Sequence, residues 1–96
     1  MNNEDGIREL IVRRRKQIIV HSCIYYEFNT SIISDRTFDL WAYELVDLQR
    51  KYPEISKSSR WASEFKDFDG STGYDLPIRT QWAINKAKWL LEYEGN

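Results

Sequence analysis

The chain has little of several features that would assign it to a class. Its 96 residues include one cysteine and one histidine, so an internal disulfide is excluded and a zinc site built from Cys and His ligands is not expected. It also lacks an apolar run of membrane length and the charged and apolar regions of a secretory signal. These absences predict a cytoplasmic protein without membrane association.

An excess of charge of either sign is also missing. Fourteen Lys and Arg against fifteen Asp and Glu leave a net charge of −1, which gives no overall electrostatic reason to bind nucleic acid. The one locally basic run, Arg13–Lys16, falls inside a predicted helix, so its side chains point in different directions. We expect Arg14 on the apolar side, with its stem along the core, and we do not expect direct nucleic-acid binding.

Aromatic residues, in contrast, are abundant. Four tryptophans, six tyrosines and four phenylalanines occur in a chain short enough to form one domain over residues 1–96. Each ring can bury on the order of 150 to 250 Å², so this share exceeds what a minimal helical core needs. We therefore expect some rings to serve a surface.

The apolar periodicity predicts an all-α fold that begins with an antiparallel helical hairpin over residues 5–55. Residues at helical spacing indicate a first helix from about Asp5 to Phe28. After a turn, Ser34 or Asp35 offers a side-chain oxygen to the free amides of a second helix, and Pro53 marks the end of that helix.

Residues 56–96 are predicted to form a loop and a C-terminal helix. One or two helical turns can form over WASEFKDF, residues 61–68, and DFDGSTGYDLP, residues 67–77, is rich in turn residues. The last helix is expected from about Ile78 to Tyr93.

The hairpin brings an unusual group of residues to one end. Tyr25 and Tyr26 lie near the end of the first helix and face the start of the second, which holds Phe38 and Asp39. Asp35 is four residues before Asp39 and can approach it. An aromatic corner beside two carboxylates suits a flat, cationic ring. A purely structural use stays open, since the carboxylates can cap the helix or favour its dipole and the rings can form core.

The same residues carry a family resemblance. The run HSCIYYEFNTSIISDRTFDLWAYELVDLQRKYPEI, residues 21–55, has His, three residues, Tyr-Tyr, a short turn, Ile-Ser-Asp and then an aromatic-Asp pair. It resembles the N-terminal helical subdomain of bacterial NAD-dependent DNA ligases, which holds the nicotinamide mononucleotide (NMN) half of NAD. The chain departs from the family at Asn29 and Ser31, where Asp and Pro are usual, and at Thr37, where an acidic residue is usual.

The resemblance implies a ligand and a role for each residue. NAD or NMN would be the ligand. Tyr25, Tyr26 and Phe38 would contact the nicotinamide ring, and Asp35 and Asp39 would bind polar groups of the ribose and carboxamide.

The resemblance also implies what this chain does not do. The family forms its covalent adenylate on the lysine of a Lys-x-Asp-Gly motif, whereas Lys66–Gly70 reads KDFDG, with one residue too many. We therefore expect no ligase activity from this chain on its own. A stand-alone copy looks like a phage-type accessory protein of the host cytoplasm.

Two further functions stay open. The first is a protein inhibitor of a host nucleic-acid enzyme, such as an anti-CRISPR or replication inhibitor, in which acidic residues mimic phosphates. Its contact surface would include Glu64, Asp67, Asp69, Asp75 and Trp61. The second is a ligase accessory piece that acts in trans.

A calcium site is not expected. Asp67-x-Asp69-Gly70 is similar to part of an EF-hand loop, but Phe65 and Leu76 then occupy ligand positions and cannot coordinate.

Overall fold

The computed structural model describes residues 3–94, with side chains described through residue 93. Within that range the chain forms four helices, α1 (Asn3–Glu27), α2 (Asp35–Lys51), α3 (Pro53–Lys57) and α4 (Gln81–Glu94), and no strand. The all-α prediction is confirmed. The domain measures 39 × 28 × 25 Å. None of the helices in the described part is both long and apolar enough to cross a bilayer.

The first helix ends at a left-handed residue. Asn29 has φ of 54°, a conformation that asparagine tolerates better than most residues. The amide of Thr30 then donates to the carbonyl of Ile24 at 3.4 Å, which satisfies one of the last free carbonyls of α1. The predicted turn after Phe28 is thereby confirmed.

The second helix has a side-chain cap. Of the two candidates, Ser34 is the N-cap, and its Oγ accepts from the Thr37 amide at 3.1 Å. Asp35 is the first helical residue, where a carboxylate faces the positive end of the helix dipole. Pro53 ends α2 as predicted. It also begins the short α3, since proline is well suited to a first helical position. The sequence did not indicate this helix.

Three cross-helix contacts show that α1 and α2 are antiparallel. Arg14 forms an ion pair with Glu44. The His21 and Trp41 ring centroids lie 5.5 Å apart, and the Arg15 Nε donates to Gln49 Oε1 at 3.0 Å. Residues in the middle of α1 thus contact the later part of α2, and His21, nearer the end of α1, contacts its earlier part. This confirms the predicted antiparallel hairpin.

The core lies around α1, which packs against all three other helices. The connection between α3 and α4, residues 58–80, contributes Phe65 and Ile78, both fully buried, and Leu76, which is 8% exposed. Phe65 and Leu76, which would occupy two calcium-ligand positions of an EF-hand loop, are therefore core residues.

The sequence did not single out Arg15, which is the fully buried arginine of the basic run; Arg14 lies over the Trp41 ring at 5.8 Å from its centroid, on the apolar side as predicted. Arg15 is 1% exposed, whereas Arg14 lies partly exposed beside Glu44. Both positions lie three or four residues from Ile11 and Ile18, so helical spacing alone cannot decide between them.

The Arg15 guanidinium connects α1 to the segment that follows α2. It donates to Gln49 Oε1, to Ser56 Oγ at 2.8 Å, and to the carbonyls of Ser56, Ser59 and Arg60. Burial lowers its pKa to about 10, against the opposing effect of the Glu64 charge. It therefore stays protonated at neutral pH and uses its donors on neutral acceptors.

The 58–80 connection is built from turns, as predicted. Gly70 has φ of +89°, which glycine adopts readily and other residues rarely. Residues 61–68 form turns joined by bonds such as Phe65 amide to Trp61 carbonyl at 3.1 Å. Thr80 Oγ1 accepts from the Ala83 amide at 3.2 Å, so this threonine caps α4. The helix consequently starts at Gln81, three residues later than predicted.

Candidate functional site

The end of α1 presents a cluster of tyrosines. The rings of Tyr25 and Tyr26 meet edge to face with centroids 4.9 Å apart, and Tyr26 meets Tyr74 in the same way at 5.1 Å. Tyr25 is 56% exposed, whereas Tyr26 packs partly buried against the core. We call Tyr25, Tyr26 and Tyr74 the tyrosine cluster, in which Tyr25 offers the most open ring.

Tyr74 belongs to this cluster although the sequence did not assign it there. It lies in the turn-rich segment 67–77, far from the hairpin in sequence, and no local spacing relates it to Tyr26. Arg79 lies over the Tyr74 ring at 4.9 Å from its centroid and forms an ion pair with Glu27 at 3.0 Å. The positive charge of Arg79 beside the tyrosine cluster is therefore balanced by the carboxylate of Glu27.

A close approach of backbone and helix holds the 67–77 segment against α1. The position of a Cβ on Gly73 would lie 2.7 Å from the Cβ of Ser22, so only glycine fits there. The hydroxyl of Tyr26 also forms a hydrogen bond of 2.8 Å with Thr72 Oγ1. Both contacts fix Tyr74 next to the hairpin.

The start of α2 supplies the other predicted site residues. Asp35 and Asp39 are both exposed, and their spacing of four places them on one face of the helix. Phe38 is half-buried and packs against the core. The two carboxylates are thus available to solvent, whereas the Phe38 ring belongs to the edge of the core.

Four of the five residues predicted to contact a partner line one depression. Its volume is about 400 Å³, and we call it the acidic depression after its four carboxylates, Glu64, Asp67, Asp69 and Asp75. Thr72 also lines it and bonds to Tyr26, so the depression adjoins the tyrosine cluster. Within residues 3–94, no group of three or more His, Cys, Asp or Glu is placed to hold a metal ion.

Asp69 is held in its ionised form by the turn that contains it. Its Oδ1 accepts from the Ser71 hydroxyl at 2.6 Å and from the Ser71 amide at 2.9 Å. These bonds lower the pKa of Asp69, since both stabilise the carboxylate.

Trp61, the fifth residue predicted to contact a partner, does not line the depression. Its ring lies 5.1 Å from that of Trp82, and the Arg60 guanidinium lies 3.9 Å from its centroid. Trp61 also has φ of 67°. Its ring partners are therefore an arginine and a second tryptophan.

Comparison with curated proteins adds an independent observation. The DNA ligase of Pseudothermotoga lettingae is 36% identical to this chain over 82 residues, which is 81% of the chain and 12% of the ligase. The chain is similar to a segment of DNA ligases. The ligase of Natranaerobius thermophilus is 29% identical over 91 residues, or 91% of the chain. That of Petrotoga mobilis is 36% identical over 55 residues.

The similarity covers only a small part of each relative. The chain spans 14% of the Natranaerobius ligase and 8% of the Petrotoga ligase. No protein-family model matches the chain, and no solved structure matches it.

Proposed function

We propose that this ligase-like chain is a non-catalytic domain that binds the nicotinamide mononucleotide moiety of NAD. The observation that carries the proposal is the exposed ring of Tyr25 at the end of α1, in an antiparallel hairpin whose second helix begins with exposed carboxylates at Asp35 and Asp39.

The register of the hairpin supports a shared site. Arg14 pairs with Glu44, and His21 lies against Trp41, so successive positions on α1 meet earlier positions on α2. One further turn beyond His21 puts Tyr25 level with the first turns of α2. The open tyrosine and the two carboxylates therefore lie at the same end of the hairpin.

Each residue has a role that its surroundings favour. Tyr25 stacks on the nicotinamide ring, because its side chain is open to solvent. Tyr26 forms the fixed wall of the site, since Thr72 holds its hydroxyl, and Phe38 completes that wall from α2. Asp35 and Asp39 accept hydrogen bonds from ribose hydroxyls and the carboxamide.

The charge around the site favours a cation. The nicotinamide ring of NAD is positively charged, and the acidic depression adjoins the tyrosine cluster through Thr72. Arg79, the cation in contact with Tyr74, is neutralised by Glu27. A cationic ring is attracted both by aromatic faces and by nearby carboxylates.

Thermal unfolding with and without NMN tests the proposal. Millimolar NMN or NAD should raise the melting temperature, because a ligand that binds only the folded state stabilises it. Tyr25→Ala and Asp39→Ala should abolish the rise while the unliganded protein still unfolds cooperatively. Asp47→Ala, an exposed position on the same helix, should leave the rise intact. If neither NMN nor NAD raised the melting temperature of the wild-type protein, the proposal would be wrong.

One observation favours a second candidate, an inhibitor of a nucleic-acid enzyme. The carboxylates of Glu64, Asp67, Asp69 and Asp75 line a single depression, an arrangement able to stand in for phosphates toward a basic groove. An enzyme inhibited by the wild type should escape inhibition when all four become Asn or Gln. Inhibition that survives those substitutions would exclude this surface.

A further inference from the structure

A second concave surface lies between α1 and α4, away from the tyrosine cluster. It has a volume of about 270 Å³, and its lining includes Lys16 and Val20 from α1 and Trp82, Lys86 and Trp89 from α4. We call it the α1/α4 groove. Neither the nicotinamide site nor the acidic depression shares a residue with it.

The groove carries unbalanced positive charge. Lys16 and Lys86 line it, and no Asp or Glu does. Neither lysine forms an ion pair with another residue of the 3–93 range. The residues three and four positions from Lys86 on α4 are all uncharged, so its own helix supplies no partner. In a chain of net charge −1, this groove is therefore a local patch of positive charge.

The groove also exposes a prepositioned aromatic ring. Trp89 is 57% exposed. Its ring stacks on Tyr93 with centroids 5.0 Å apart and planes 9° from parallel. Trp82, one wall of the groove, is fixed by Trp61 at 5.1 Å. An exposed tryptophan beside two cations is a stacking platform of the kind that binds nucleobases.

We propose that the α1/α4 groove binds a small aromatic phosphate, such as a nucleoside monophosphate. The neutral base stacks against Trp89, and the phosphate lies between Lys16 and Lys86. A cationic nicotinamide ring fits this groove poorly because the lysines repel it. An apolar peptide helix fits poorly as well, since it would bury two ammonium groups without an anionic partner.

Titration of the full chain with AMP, followed by tryptophan fluorescence, tests the proposal. AMP should quench the fluorescence saturably, and Lys86→Glu should weaken binding by about tenfold or more. Lys88→Glu is the matched control, because Lys88 lies on the same helix beside a different depression and the change in net charge is identical. Equal weakening by both variants, or no saturable quenching of the wild type, would overturn the proposal.

Three further ligands identify what the groove recognises. Adenosine and inorganic phosphate should each bind more weakly than AMP, because each lacks half of the ligand. A short single-stranded oligonucleotide should compete with AMP if its bases and phosphates use the same groove, and oligonucleotide binding without AMP binding would contradict a site for a small ligand. Tyr25→Ala should leave AMP binding unchanged, so this test does not depend on the nicotinamide site.

Discussion

The hydroxyl of Tyr26 lies 2.8 Å from Oγ1 of Thr72. This hydrogen bond joins the end of α1 to a segment that follows it by more than forty residues, and it closes one side of the tyrosine cluster. The cluster is therefore a product of tertiary packing between the hairpin and the 58–80 connection.

Removal of that hydroxyl should have a small, measurable cost. Tyr26→Phe should lower the free energy of unfolding by about 0.5–1 kcal/mol, since the bond is solvent-exposed. Tyr25→Phe is the control, because the Tyr25 hydroxyl forms no bond within the described residues, and its stability should match the wild type. Urea denaturation of the three proteins measures the difference, and equal losses in both variants would contradict the role of Thr72.

Gly73 should not tolerate a side chain. Its added methyl group would overlap the Ser22 side chain on α1, so Gly73→Ala should destabilise the fold by roughly 1–3 kcal/mol. Gly6→Ala is the control, because nothing lies within 4 Å of that position and alanine favours the helix by up to about 1 kcal/mol. A Gly73→Ala protein as stable as the wild type would show that the segment does not pack this closely.

Ser22 should be dispensable as a polar residue. Its Oγ is buried and has no hydrogen-bond partner in the described part of the chain, and a buried polar group left unpaired is costly. Ser22→Ala should therefore raise the melting temperature, and it should recover part of the loss caused by Gly73→Ala because it removes the atom nearest to the new methyl group. Differential scanning calorimetry of both single variants and the double variant tests this coupling.

Arg15 should be among the most sensitive positions. Arg15→Met leaves the Ser59 and Arg60 carbonyls and Gln49 without their donor. Each buried acceptor left unpaired costs about 1–3 kcal/mol, so the free energy of unfolding should fall by about 3 kcal/mol or more. For a domain of this size, that corresponds to a decrease of roughly 12 °C or more in melting temperature. Arg13→Met, at an exposed position, should change stability by less than about 0.5 kcal/mol.

Burial should make the single thiol unreactive and should make stability depend on pH. Desolvation raises the pKa of Cys23, with Glu27 adding to the effect and Arg79 opposing it. The unfolded thiol ionises near its usual pKa of about 8.5, while the folded thiol ionises only at a higher pH because its pKa is raised. The contribution of the Cys23 thiol to the free energy of unfolding is thus complete below the pKa of the unfolded thiol. It is lost as the pH rises from there toward the higher pKa of the folded thiol.

Two measurements check this behaviour of Cys23. Alkylation by iodoacetamide at alkaline pH should be slow in the native protein and fast after unfolding. The loss of stability with rising pH should be shallower in Cys23→Ala than in the wild type. Rapid alkylation of the native protein would contradict the buried position.

Local sequence rules predicted the hairpin because its determinants are local. The side chain of Ser34 caps α2, Asn29 ends α1 and Pro53 stops the second helix, and each acts within a few residues. Arg15 was missed because Arg14 satisfies the same spacing. Only the carbonyls that α3 and the following turn bring to Arg15 decide between them.

The composition of the candidate site depended on distant contacts. The sequence placed Tyr25 and Tyr26 at the end of α1, and that position is confirmed. Tyr74 joined them only because Gly73 permits the connection to approach Ser22, which no periodicity encodes. The roles of Asp35 and Asp39 toward a ligand stay predictions.

The most direct test of the central claim is a titration of the isotope-labelled protein with NMN, followed through its amide chemical shifts. We predict that the resonances of Tyr25, Tyr26, Asp35, Phe38 and Asp39 shift together and saturate with one dissociation constant. Shifts confined to other parts of the domain, or no shifts at millimolar NMN, would contradict a nicotinamide site at this end of the hairpin.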